Sequence, residues 1–156
     1  MLFSRSNTNR QGQRLSAIPY SSDALRWDIF RVREAWRESR RQHDRFSIFG
    51  YLAAVYDLVA VWKKENQAVE RATRALRLKR RAYGNTIEPF AAVISCTSPR
   101  KAVDGKARSK WAHSLMFAAK HKSPSEPLED FIRRHGGINS CTAELSRLNR
   151  TQALHR

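Results

Sequence analysis

The side chains with the clearest chemistry in this sequence are its lysines and arginines: 30 of them stand against 14 aspartates and glutamates, a formal charge of +16 at pH 7. Of that surplus, +11 falls between Lys63 and Lys122. Within this stretch Lys63, Lys64, Arg71, Arg74, Arg77 and Arg81 recur at helical spacing. At ~100° per residue they occupy an arc of about 140°, with Leu78 the only apolar intruder. Like charges three or four residues apart destabilise a helix. Phosphate oxygens relieve that repulsion, and the guanidinium fork matches them geometrically. Lys106, Arg108 and Lys110 form a second basic group, and Arg150 stands alone near the end of the sequence. The pattern points to a polyanion, nucleic acid before anionic membrane. The competing reading turns the stripe inward, against acids of another helix such as Glu34 and Glu38.

Other chemistries find less support. The histidines at 43, 113, 121, 135 and 155 have no companions at metal-ligand spacing. His135 and Cys141 could meet across a glycine turn, but two ligands do not make a zinc site. Phosphate-cradling glycine loops and a nucleophile elbow are missing from the sequence. Glu129 and Asp130 point to different helix faces and suit a first helical turn, where negative charge is favourable. Cys96 and Cys141 cannot build a disulfide framework and read as free, buried thiols. Tyr83, Trp111 and Phe117 sit among basic groups, where rings either stack on bases or fill the core. Neither catalysis, nor a metal, nor a cofactor is expected.

The elements that must position these residues are helical. Ser22-Asp23 makes a helix start, and Leu25, Ile29, Val32 and Trp36 follow at spacings of 4, 3 and 4 to about Gln42. Residues 46–62 are the only long apolar run. They fall short of a membrane span and contain Gly50 and Asp57, which predicts a buried core helix. No proline interrupts the chain from Ser47 to Tyr83, so one helix of about 36 residues, ~54 Å long, is expected, stopped at Gly84-Asn85. Pro89 suits the first position of a short helix within 86–98. Residues 99–107 read as a basic loop, Arg108–His121 as a helix with Trp111, Leu115 and Ala118/Ala119 inward, and Pro127 as a restart. Leu128, Phe131 and Ile132 form the inner side of that next helix, which ends at Gly136-Gly137. Ile138-Asn139 then reads as staple and N-cap of a last helix carrying Cys141 or Thr142, Leu145 and Leu148.

The expected fold is therefore all-α: a bundle of about five or six helices around one long central helix, behind a basic N-terminal arm. Its parts are a flexible arm over 1–21, a helical core over 22–98, the basic loop over 99–107, and C-terminal helices over 108–156. The first ten residues lack the apolar run of a secretory signal. Their acid-free, Arg- and Ser-containing composition also fits a transit peptide.

Residues 128–156, a helix followed by His135-Gly136-Gly137, a capped helix and Asn149-Arg150-Thr151-Gln152-Ala153-Leu154-His155-Arg156, resemble the Fis-type helix-turn-helix. Gly136, Gly137, Ser140, Ala143 and Arg150 match in kind. Leu145 is displaced by one residue, and the second helix is cut short at Arg156. The resemblance implies a DNA-reading second helix carrying Arg150, while a plain helical hairpin explains the same residues. Glu88-Pro89-Phe90, Arg108-Ser109-Lys110-Trp111 and Phe131-Ile132…Gly136-Gly137-Ile138 together are similar to uncharacterised small basic proteins of bacterial plasmids and mobile elements, which implies a cytoplasmic setting. The expected function is non-catalytic nucleic-acid binding through the phosphate backbone, with DNA favoured over RNA because of the hairpin. The alternative is a small helical subunit of a larger ribonucleoprotein or effector complex, acting through protein and RNA contacts. A homodimer would give the apolar helix further cover.

Overall fold

The structure is a computed structural model that describes residues 19–44 and 47–155. Residues 1–18, most of the expected basic arm, lie outside the described residues. The described residues form seven α-helices and no strand: α1 Ser22–Arg41, α2 Ile48–Lys64, α3 Ala68–Leu78, α4 Pro89–Thr97, α5 Gly105–His121, α6 Leu128–Arg134 and α7 Ile138–Leu154.

α1 begins where Ser21 accepts the Ala24 N–H at 3.0 Å, with Asp23 in the first turn. Its periodic residues Leu25, Ile29, Val32 and Trp36 are all buried. α2 buries Phe49, Tyr51, Leu52, Val55, Val59 and Trp62 and packs against α1, α3, α4, α5 and α6. An apolar helix of this kind is stable only because neighbours cover it on several sides. Among the described residues, no helix is long and apolar enough to cross a membrane.

The single helix expected over 47–83 is not formed. The chain turns at Glu65-Asn66-Gln67, and the second piece stops at Leu78, before Gly84. At the corner Asn66 takes a left-handed backbone, φ 57°. The Gln67 N–H then donates to the Trp62 carbonyl at 2.9 Å and the Asn66 N–H to that of Lys63 at 3.0 Å. These two bonds are the Schellman pattern, which satisfies the last helical carbonyls without proline or glycine. Packing supplies the reason. The longest helix of the bundle has 20 residues, ~30 Å. A straight rod of ~54 Å would carry Ala72, Ala75 and Leu76 out of the core in which they are now buried.

α4 is the short helix expected there, with Pro89 in its first turn and Glu88 accepting the N–H groups of Phe90 and Ala91. α5 starts earlier than Arg108, inside the expected loop, because Asp104 caps it by accepting the Ala107 N–H at 2.7 Å. Leu115 and Ala118 are buried as expected, while Ala119 is exposed. Trp111 packs half-buried against Trp36 and Tyr51. Tyr51 bonds Thr97 at 2.7 Å, and burial pushes its phenol up to about 12. Leu128, Phe131 and Ile132 are the buried side of α6, and Phe117 joins that core against Phe131 and His135.

The cap expected at the start of α7 is not the one formed. Its N-cap is Gly137, φ 105°, and Asn139 lies inside the helix. Ser140 crowds Gly136, where an added Cβ would come within 2.9 Å of its hydroxyl. Beyond that turn residues 138–154 are one uninterrupted helix. Cys141 and Leu145 are buried, Leu148 packs partly, and Ser114 of α5 donates to the Ile138 carbonyl at 3.1 Å, which stitches α5 to α7. Cys96 and Cys141 are free and buried, as expected.

Candidate nucleic-acid interface

The break at Asn66 and the end of α3 at Leu78 redistribute the basic stripe. Lys63 and Lys64 remain exposed on the last turn of α2, the Lys63 ammonium lying 4.6 Å from the centre of the Phe90 ring. Arg71 is only 8% exposed. It reaches back across the corner to form an ion pair with Glu65, and its guanidinium sits 3.9 Å over the Tyr20 ring. Arg74 is half-buried and donates to the Tyr20 carbonyl at 2.9 Å. Arg77 is exposed, and its Nε donates to the Tyr83 hydroxyl at 2.9 Å. The inward reading was therefore right for Arg71, although Glu65 is its acidic partner, not Glu34 or Glu38. No continuous basic face runs along 63–81.

Arg81 leaves the stripe altogether. The chain exits α3 through a second Schellman turn, with Arg80 left-handed at φ 52° and the Arg81 N–H donating to the Leu76 carbonyl at 2.8 Å. That turn delivers Lys79 and Arg81 to a cavity of about 370 Å³, which they line with Arg33 of α1 and with Cys96, Thr97, Ser98, Pro99, Arg100 and Lys101 at the end of α4. Arg108 of α5 stands behind it, donating through Nε to the Ser98 hydroxyl at 3.1 Å. No carboxylate lines the cavity.

The C-terminal carbonyls of α4 offset part of this charge, as a helix C-terminus carries roughly half a negative charge. That is small beside Arg33, Lys79, Arg81, Arg100, Lys101 and Arg108 together. Burial, then the positive charges of Arg100, Arg108 and Arg33, pull the Arg81 guanidinium below its ordinary value. Arg81 Nε and Arg108 Nη2 are buried with no acceptor among the described residues. A buried donor without a partner costs ~1–3 kcal/mol, more when charged. Cys96 lies in the same wall. Burial pushes its thiol up to about 11 against the pull of Arg81 and Lys79, so it is a neutral thiol at pH 7 and a poor nucleophile there.

Of the remaining candidates, Lys106 and Lys110 are exposed beside a shallow cavity with Asp104, Trp111 and Asn139. Arg150 is exposed on α7 and donates to the Ser146 carbonyl at 3.4 Å. Of the sequence candidates, Arg81 and Arg108 are the two at this cluster. Arg33, Lys79, Arg100 and Lys101 complete the cluster and were missed because they belong to three separate segments. The one local signal was Lys79-Arg80-Arg81 followed by Arg100-Lys101, two basic runs with few acids between them. No group of three or more His, Cys, Asp or Glu among the described residues is arranged to hold a metal ion. Compared with protein-family models, curated proteins and solved structures, the chain matches none.

Proposed function

We propose that this protein binds nucleic acid without catalysis and grips the phosphate backbone at the cavity lined by Arg33, Lys79, Arg81, Arg100 and Lys101. The observation that carries the reading is the convergence of these cations, from α1, the exit of α3 and the α4–α5 loop, on one cavity with no carboxylate among its described lining residues. A phosphodiester supplies the missing negative charge, and bidentate arginine pairing with it is stronger than a neutral hydrogen bond. Exposed Lys63, Lys64, Arg77, Lys106, Lys110 and Arg150 add a diffuse positive field that steers a polyanion inward. The reading includes a cytoplasmic setting, where nucleic acid is at hand and the free thiols Cys96 and Cys141 stay reduced. The glycine-turn hairpin of α6 and α7 is formed, but α7 runs as one helix through Arg150, so the proposal is for a phosphate backbone of either kind.

Fluorescence anisotropy with single-stranded DNA, duplex DNA and structured RNA tests this at low and moderate salt. Binding should weaken steeply with salt, since each neutralised phosphate releases counterion. The triple change Arg81→Gln, Arg100→Gln, Lys101→Gln should weaken it about tenfold or more while circular dichroism stays helical, and Arg77→Gln should change it little. Salt-independent or absent binding, or a triple variant that binds as tightly as the parent, rejects the proposal.

A further inference from the structure

The face of α1 turned away from the core carries two large rings in the open. Trp27 is 60% exposed and Phe30 46%, and they stack on each other with centroids 5.5 Å apart and planes 24° from parallel. The other exposed large apolar side chains, Val61, Val69 and Leu154 on three different helices and Tyr83 after α3, are not stacked on another ring among the described residues. Single exposed apolar side chains are ordinary on a protein surface. A preformed aromatic pair on a helix whose other side is already buried is a different matter, because large rings left in water mark interaction surfaces.

What the pair faces follows from the helix. Arg33, which lines the cationic cavity, lies one turn beyond Phe30, ~4.5 Å further along the axis and about 60° around it. Arg26 and Arg37 fall on the same flank, within about 40° of Phe30. They pair with carboxylates of the same helix, Arg26 with Asp23 and Arg37 with Glu34, as Arg41 does with Glu38. Exposed Arg31 beside Trp27, and Arg33 with the cavity beyond it, leave positive charge on both sides of the pair. An aromatic surface on the helix that also supplies Arg33 to the phosphate seat matches an unpaired strand. Its bases need a flat ring to stack on and its backbone needs cations. A duplex keeps its bases in its own stack and gains nothing from exposed rings.

Resting on the nucleic-acid reading above, we infer that Trp27 and Phe30 form a base-stacking platform and that the preferred ligand is single-stranded nucleic acid. Its base lies on the Trp27–Phe30 pair and its adjacent phosphate enters the cavity at Arg33 and Arg81.

The test uses the full chain and three probes of equal length: a single-stranded oligothymidylate, an abasic strand with the same phosphates, and a DNA duplex. The single strand should bind about tenfold more tightly than either other probe. The double change Trp27→Ala, Phe30→Ala removes only exposed side chains and should remain helical by circular dichroism. It should lower single-strand affinity to the abasic level and leave abasic binding unchanged, whereas the cavity triple variant should weaken all three probes together. An advantage for bases that survives in the aromatic variant, or a duplex bound as tightly as the single strand, overturns the platform. Loss of all three probes in the parent overturns the nucleic-acid reading itself. Sedimentation provides the remaining check: a parent dimer that the aromatic variant dissociates would make this face a self-interface and reject the platform.

Discussion

Arg71, Arg74, Arg77 and Arg81 follow one another at helical spacing, yet each meets a different environment. Arg71 spans the α2–α3 corner to Glu65 and covers the Tyr20 ring; Arg77 stands in solvent against the Tyr83 hydroxyl. Replacing a buried, paired guanidinium removes an ion pair, a cation–π contact and packing at once. Arg71→Gln should therefore lower stability by ~1–3 kcal/mol in urea unfolding, while Arg77→Gln should stay within about 0.5 kcal/mol of the parent. Equal effects of the two would mean that the corner contact adds no stability. The basic stripe could be read from residue types, but this division could not. Arg71's fate is set by Tyr20, far away in sequence, and by a corner that makes Glu65 a neighbour. The aromatic residues show the same limit: Phe117 is buried, Trp111 half-buried and Tyr83 exposed beside Arg77, while the exposed stacked pair is Trp27 and Phe30.

Three helices of this bundle end in the same hydrogen-bond pattern. α2 turns through Asn66, α3 through Arg80 and α6 through Gly136, each with positive φ. In each, the next N–H returns to a carbonyl of the last turn, at 2.9 Å for Gln67, 2.8 Å for Arg81 and 2.9 Å for Gly137. Glycine takes that backbone without a Cβ penalty, asparagine with a small one, and arginine at a cost of ~1–2 kcal/mol. Arg80→Gly should accordingly raise the urea midpoint, a stability gain of about 0.5–1 kcal/mol once glycine's greater freedom in the unfolded chain is subtracted. An unchanged or lowered midpoint would show that the Arg80 side chain stabilises the turn by more than the backbone strain costs. Legibility follows the same order. Gly136-Gly137 announces its turn, and so does Pro89 at the start of α4. Asn66 and Arg80 carry no such signal, because packing of Trp62, Ala72 and Leu76 into one core forces the turn and local preference merely tolerates it. That is why one long helix was expected where two are found, and why the bundle has seven helices among the described residues instead of five or six.

At the scale of the molecule, part of the charge of +16 is gathered where the fold brings segments together, so compaction itself is opposed by repulsion. Anything that binds the folded cluster but not the open chain adds stability by mass action. The melting temperature should rise with sodium chloride over about 50–500 mM as screening shortens the Debye length. It should rise further with inorganic polyphosphate at equal ionic strength in the parent, and less in the triple variant at Arg81, Arg100 and Lys101. A melting temperature indifferent to salt would mean that the cations are spaced too widely to oppose folding. The all-helical class was readable from composition and periodicity. The cluster was not, since its cations meet only when α1, the exit of α3 and the α4–α5 loop are assembled.

The placement of the indoles has an optical consequence. Trp62 and Trp36 are sealed from solvent, at 0% and 6% exposure, and Trp111 is half-buried, whereas Trp27 stands 60% in water. Emission from the sealed pair belongs to the interior and changes when the fold is lost. Emission at the red edge belongs largely to Trp27 and is open to collisional quenchers while the chain is native. The side chain assigned to stack on a base is thus also the protein's own fluorescent reporter, able to register occupancy of the surface without a label and separately from unfolding.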